Sequence, residues 1–421
     1  MASVRAIYIG GGQSGSVVPS TTASDYIETL FTSEGVAAVA QTTQDDTFSA
    51  SRQPRGSVRT GFNVGGPLNG RLRYGAYDHI MESALFSPNW ATLQTVSGSG
   101  VKKISANITV DHSAKTIVAA TNTPFTGLAV GDWIRLEKDG YQNDGICLRI
   151  STWTDASNIV YDSWSKLPTT DAGSETGVTV RAGERITVGT TDRLHTYVKK
   201  LSQVTVDSYQ AFLGCQFDQF GISLSPGDLS SFSTQVRGRK LVPDFTGDFN
   251  LDTNGDLVAS GGANIQIDTY TASGYTAAPS TSVLSTATNT GGSIMIDGEP
   301  SLVVSNFDFN LANNIQGEQT IFVFGDYAVE PGVVGLTGNL NAIFAGTDLL
   351  EKFVNDQSAR LACYITGTDD KGYIFDVPNV RLGGGESGFN NDALVRLGFT
   401  WSAEVDATTS RAFQVVRFDA S

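Results

Sequence analysis

The sequence predicts a mainly β protein of tandem β-sandwich or barrel domains, each with one flanking helix, plus a small inserted β domain. Three observations carry this. Charged residues make up 17% of the 421-residue chain, below the roughly 25% of an ordinary soluble domain, and Gly contributes 46 residues. Short apolar runs recur between turn residues, and only two segments show a helical period. Those two segments, each with a strand before it, repeat one another, which points to reuse of one unit. A chain of this length also calls for two or three separate cores.

Residues 4–9 read as a short strand. The rest of 1–60 is rich in Ser, Thr and Gly, carries acidic spots at Glu34 and Asp45-Asp46, and lacks a hydrophobic period. It is expected to be an N-terminal arm and long loop, mobile over 10–60 until a partner orders it. Beyond residue 61, Leu68, Leu72 and Tyr74 alternate with Asn69, Arg71 and Arg73, as in a strand with one polar face. In 77–86 Ile80, Met81, Ala84 and Leu85 form one helical stripe, with Asp78 placed to cap it. Residues 100–185 hold short strands at 104–110, 116–120, 132–136, 145–150, 158–161 and 178–181, the pattern of a small barrel or sandwich.

A second helix is expected where Leu349, Leu350, Glu351, Phe353 and Val354 reproduce the spacing of Ile80, Met81, Glu82, Ala84 and Leu85, with Asp348 and Glu351 as a capping box. Leu340-Asn341 before it corresponds to Leu68-Asn69, a displacement of about 270 residues. Another echo sets Phe217-Asp218, Gly227, Asp228 and Phe232 against Phe307-Asp308, Gly317, Glu318 and Phe322, displaced by only 90. The two offsets disagree, so the repeat is not one simple tandem copy. The expected organisation is a first unit of 1–99 with 186–240, an inserted domain of 100–185, a Gly/Ser/Thr/Asn-rich connection of 241–292, and a second unit of 293–421.

Lys and Arg number 28 against 43 Asp and Glu, a formal charge of −15 that repels a polyanion. The longest apolar runs fall far short of the ~20 residues of a membrane helix, and no secretory h-region precedes Gly10. Synthesis and retention in a cytoplasm are expected, with Cys147, Cys215 and Cys363 as buried thiols rather than disulfides.

Candidate chemistry is sparse. Gly10-Gly11-Gly12-Gln13-Ser14-Gly15 matches G-x-G-x-x-G, but Val17, Val18 and Pro19 follow where a dinucleotide site needs a helix N-terminus. Asp248, Asn250, Asp252, Asn254 and Asp256 crowd around Gly255 as in a calcium loop, yet position twelve is Gly261 rather than a bidentate Glu. A polar turn is the plainer reading. His79, His112 and His195 have no metal-ligand spacing, and no nucleophile elbow is present. Trp90, Trp133, Trp153, Trp164 and Trp401 are sugar platforms or, more often at strand spacing, core anchors. No catalytic, cofactor-binding or metal-binding residue is assigned.

The segments Ser51-Arg52-Gln53 and Val64-Gly65-Gly66-Pro67-Leu68-Asn69-Gly70-Arg71-Leu72-Arg73-Tyr74-Gly75-Ala76-Tyr77-Asp78, followed by Glu82, Ala84 and Leu85, resemble the tail tube proteins of siphophages. So do Gly127-Leu128-Ala129-Val130-Gly131-Asp132, the Phe217-Asp218 hairpin, and the pattern of Leu340, Phe344, Leu349, Phe353 and Asp376-Val377-Pro378. The resemblance implies β-sandwich subunits with one flanking helix, whose inner sheets join side by side into a continuous barrel while long loops reach the next ring. It implies a non-enzymatic virion tail protein, assembled in the host cytoplasm, with a tape measure protein and a tail terminator as partners. DNA would pass through the lumen without specific binding. Six units per ring in this family become three chains if each carries two, a trimeric ring of approximate sixfold appearance; a hexamer with the C-terminal half as outer decoration is the alternative. Two other readings stay open: a β-sandwich carbohydrate-binding or hydrolysing protein, and a surface-layer or adhesin subunit.

Overall fold

The chain builds one strand order twice. The computed structural model describes residues 3–13, 16–44, 56–91, 103–141, 143–162, 173–202, 207–242, 244–286, 292–297, 299–301, 304–321, 325–343, 348–367, 369–388 and 396–419. Of the residues named above, Ser14, Gly15, Asp45, Asp46, Ser51, Arg52, Gln53, Trp164, Phe322 and Phe344 lie outside them. The first copy starts with β1 (Ser3–Gln13), β2 (Tyr26–Thr29), β3 (Ser33–Glu34), β4 (Ala37–Gln44), β5 (Ser57–Arg71) and α1 (Asp78–Ala84). Six strands then close a barrel: β6 (Lys103–Asp111), β7 (Thr116–Ala119), β8 (Trp133–Glu137), β9 (Cys147–Asp155), β10 (Asn158–Asp162) and β11 (Gly173–Ala182). The first copy resumes with β12 (Glu184–Thr187), β13 (Leu194–Ser202), β14 (Ser208–Leu224), β15 (Ser231–Gly238) and β16 (Lys240–Val242).

After β17 (Asp248–Leu251), β18 (Ala263–Gln266) and α2 (Ile267–Tyr270) the second copy begins. It comprises β19 (Ser293–Ile296), β20 (Glu299–Ser301), β21 (Val304–Ala312), a hairpin of β22 (Gln316–Glu318) and β23 (Ala328–Glu330), β24 (Gly335–Ile343) and α3 (Asp348–Val354). It ends with β25 (Ser358–Thr366), β26 (Gly372–Gly388), β27 (Arg396–Ala403) and β28 (Gln414–Phe418).

In the first copy β2 pairs with β1, β1 with β13, β13 with β14, and β14 with β15 and β16. Strand β15 continues to β5, which pairs with β3 and β4. In the second copy β20, β19, β25, β26, β27, β28, β24 and β21 occupy the corresponding places. The matching strands β14 and β26 are both 17 residues long. Each begins in a back sheet and ends in a front sheet, with a register shift near the junction, at Phe217/Gln219 on β14 and at Val377/Val380 on β26. Such bulges bend a strand, so one strand serves both layers of a sandwich.

This topology resolves the two conflicting offsets. Leu68 and Leu340 sit at equivalent positions of β5 and β24, so the displacement of about 270 is the duplication. Phe217 and Phe307 lie on β14 and β21, which pair with each other and are not equivalent, so that echo marks neighbours.

One apolar core runs through both copies and contains Ile7, Val64, Phe220 and Phe232 with Phe307, Phe309, Phe375 and Trp401. Phe309 bridges them, meeting Phe220 edge-on at 5.5 Å and Phe375 at 5.4 Å. Aromatic pairs in this geometry add about 0.5–1.5 kcal/mol beyond burial.

Both back sheets are buried on both faces. On β25, Leu361, Cys363 and Ile365 enter the main core, while Ala362 and Tyr364 belong to the barrel's core beside Ile134, Leu148 and Val180. A period of two delivers alternate residues to opposite sides, so the barrel covers the second copy's back sheet. On the first copy Tyr8, Val198, Ala211 and Leu213 face Phe249, Leu251, Ile265 and Ile267. The segment expected to be a mere connection therefore supplies a cover, including α2, whose four residues are too few to show a period in sequence.

Polar groups fix the barrel's seat. The Arg149 Nε and Trp133 Nε1 groups each donate to Asp376 Oδ2 at 2.9 Å, and Gln414 Nε2 donates to the same oxygen at 2.7 Å. Asp376 is wholly buried and Arg149 is 4% exposed. Beside them Asp132 takes Arg185 and Arg411, and β12, leaving the barrel, pairs with β28.

Two local expectations change. Asp78 lies in the first turn of α1 and Tyr77 is the N-cap; the Asp78 carboxylate instead accepts from Tyr373 and pairs with Arg417. The described part of 1–60 is not a structureless arm. It forms β1 to β4 and the start of β5, because backbone pairing to β13 and β5 replaces a missing hydrophobic period. Asp376→Ala is expected to cost about 3 kcal/mol, since it removes the nearest counter-charge of the buried Arg149, leaving Asp162 at 3.6 Å, and the acceptor shared by Trp133 and Gln414. Urea unfolding of the variant beside the wild type checks this.

Candidate assembly surface

The two front sheets are one surface. Strand β14 pairs antiparallel with β21 through Gln219–Ala312, Gly221–Asn310 and Ser223–Asp308. The front strands thus run β4, β5, β15, β14, β21, β24, β27, β26 without a break. Register carries the alternation across them. One row reads Asn69, Ser233, Gly221, Asn310, Thr337, Ser402 and Arg381; the next reads Arg71, Ser231, Ser223, Asp308, Asn339, Thr400 and Gly383. Between these positions Phe232, Phe309, Leu340 and Trp401 point to the core.

The outward face is therefore polar, mostly uncharged and built of short side chains. Over β21, β24, β27 and β26 it is concave and encloses about 480 Å³ lined by Asp308, Asn310, Thr337, Asn339, Arg381 and Thr400. Three of its arginines meet carboxylates: Arg71 lies 3.6 Å from Asp228, Arg237 2.7 Å from Asp326, and Arg381 3.1 Å from Asp356 and 3.3 Å from Glu404. Asn339 Nδ2 donates to Asp308 Oδ1 at 2.9 Å. Arginines neutralised in this way offer phosphates little gain from counterion release.

The residues with candidate chemistry are packed or bonded within the fold. Gly10 lies in β1 against Tyr26 and Thr196, where an added Cβ would sit 3.1 Å from the Tyr26 ring. The strand runs on to Gln13, so the glycines pack a sheet and open no helix. Asp252 Oδ1 accepts the Asn254 and Asp256 amides at 2.9 and 2.8 Å, and Asp256 pairs with Lys240, as in a polar turn. Among the described residues no three His, Cys, Asp or Glu side chains are grouped to hold a metal ion. His195 is neutral in the core. Burial lowers its pKa to about 4, its Nδ1 donates to the Gly10 carbonyl at 3.1 Å, and its Nε2 accepts from Ser83 Oγ at 2.8 Å. Burial pushes the Cys147 thiol up to about 11 and those of Cys215 and Cys363 up to about 12, which favours the neutral thiol at all three. Trp133 and Trp401 are 0% and 2% exposed, and Trp90 stacks under the Arg417 guanidinium at 4.4 Å; these rings are core and not sugar platforms. Trp153 is 39% exposed and donates to the Phe125 carbonyl. No helix among the described residues is long and apolar enough to cross a membrane.

The family model for phage tail tube protein matches residues 12–403, nearly the whole chain and both copies of the topology. The chain belongs to the phage tail tube protein family. No curated protein matches it. The family is structural, which accords with a tail tube protein whose most distinctive surface is a sheet face rather than a cleft. Sequence reasoning found the strands of this face at Leu68–Asn69 and Leu340–Asn341 but missed the β14–β21 seam between them. A usable signal was present: Asn306, Asp308 and Asn310 alternate with Phe307, Phe309 and Leu311 as regularly as any stretch of the tail tube protein.

Gly338 of β24 is pressed against the Asp308 carbonyl and the Trp401 ring, whereas Gly335 on the same strand has open space. Gly338→Ala is expected to lower the melting temperature of this tail tube protein by several degrees, and Gly335→Ala to leave it nearly unchanged.

Proposed function

We propose that this protein forms the wall of the tail tube of a long-tailed phage with a non-contractile tail, assembling into stacked rings around a lumen through which DNA leaves the virion. The carrying observation is the continuous front sheet, contributed by two copies of one topology and polar on its outward face. The two copies, 1–99 with 186–240 and 293–421, act as two tube domains. Three chains then supply six wall units, and the ring is trimeric with approximate sixfold appearance. Closing the sheet into a barrel removes the open edges that a lone eight-stranded sheet exposes.

The polar face lines the lumen, where neutralised arginines and short amide and hydroxyl side chains let DNA slide. The barrel at 100–185 stands on the far side, since it covers the back sheet of the second copy. A tape measure protein inside the growing tube and a terminator at its end are the partners that this role requires. Assembly takes place in the host cytoplasm.

Electron microscopy of assembled tubes tests the reading. Three chains per ring with α1 and α3 at equal radius is the expected result; six chains with α3 farther out than α1 would overturn the tandem-wall arrangement. Replacing Asn310, Thr337 and Ser402 together by Lys is expected to leave tubes intact but make them retain DNA at low salt. Co-sedimentation across a salt series reads this, with retention falling as salt rises.

A further inference from the structure

The protein contains one finished seam between wall units and two unfinished halves of the same seam. The finished one is β14 against β21. By the duplication β26 is the counterpart of β14, and β3 with β4 is the counterpart of β21. Among the described residues β3 and β4 pair with no strand other than β5, and the last residues of β26, 383–388, pair with none other than β27. Two complementary edges are thus left open at opposite ends of the front sheet.

The tube reading already joins each open edge to the opposite edge of a second copy; resting on it, we infer that the two edges pair in the register of the internal seam. The register follows from shared neighbours. Gln219, which faces Gln235, corresponds to Gly383, which faces Thr400; Ala312, one rung beyond Leu311 and its partner Leu336, corresponds to Val39, one rung beyond Ala38 and its partner Val64. Gln219–Ala312 inside one chain therefore becomes Gly383–Val39 between chains. Gly221–Asn310 becomes Glu386–Ala37, and Ser223–Asp308 becomes Gly388–Gly35.

Exposure at the open ends supports a missing neighbour. Val39 is 62% exposed on an unpaired edge strand, the kind of edge that natural sheets cover or charge. At the finished seam α1 is capped by the second copy, where Asn313 Nδ2 donates to the Ala84 carbonyl at 2.8 Å, and Leu85 is 1% exposed. Its counterpart Val354, at the end of α3, is 70% exposed.

Paired cysteines test the register in assembled tubes. With Val39→Cys and Gly383→Cys in one chain, a short thiol cross-linker is expected to join neighbouring chains and to accumulate closed covalent rings on denaturing gels. Ala37→Cys with Gly383→Cys, two residues off register on the same face, is expected to join at least tenfold less. Cross-linking that favours the second pair, or neither pair reacting in tubes visible by microscopy, overturns the register. Hydrogen exchange on the unmodified protein guards against a folding defect: amides of 35–39 and 383–388 should slow by at least tenfold on assembly. Unchanged exchange at both segments in intact tubes overturns the seam while leaving the tube reading in place. A wild-type protein that forms no tubes under any condition overturns both.

Discussion

Everything about this molecule turns on β14 lying beside β21 in register. That pairing puts Gln219, Gly221 and Ser223 on the same side as Asn310 and Asp308, and Phe220 and Ile222 on the same side as Phe307 and Phe309. A slip of one residue would turn every phenylalanine of β21 outward and every asparagine inward. Because the apolar side is a shared core with Phe309 wedged between Phe220 and Phe375, the slip is forbidden by burial. The two copies are thus joined by main-chain hydrogen bonds and aromatic packing into one continuous surface.

The same constraint explains the oddities of composition. A sheet with its apolar side in a shared core turns its other side outward, and there the front strands supply mostly Asn, Ser, Thr and Gly. Each sandwich also has a back sheet that is apolar on both faces, which a lone sandwich would leave exposed to water. The chain solves this twice with local material: the barrel covers β25, β26 and β28, and the segment around β17, β18 and α2 covers β1, β13 and β14. The barrel inserted in the first copy covers the second, so the copies are interleaved as well as joined. Its seat is fixed by charges, with Asp376 taking Arg149, Trp133 and Gln414, and a buried set of this kind specifies one orientation because each member has few alternative partners.

Much of this was legible in the sequence. Period-two runs located the six barrel strands and the strands at Leu68 and Leu340, and the stripes at Ile80 and Leu349 located α1 and α3. The strands of 16–44 were not legible, because edge strands with few buried residues carry no hydrophobic period and are held by backbone pairing alone. Asp78 looked like a cap for the reason that any acidic residue at a helix start does. Its actual partners, Tyr373 and Arg417, lie almost 300 residues or more away in the chain.

By itself the sequence determined the local quantities: which stretches alternate, where helices start, which glycines interrupt, and that the chain is acidic and reuses one unit. These depend on neighbours within a few residues and are written in periodicity. Only the tertiary structure decided which of two conflicting repeats was the duplication, which strands meet at the seam, and which edges remain open. Strand pairing is a relation between distant segments whose energy lies in backbone hydrogen bonds common to all residues, so side-chain patterns limit the partners without naming them.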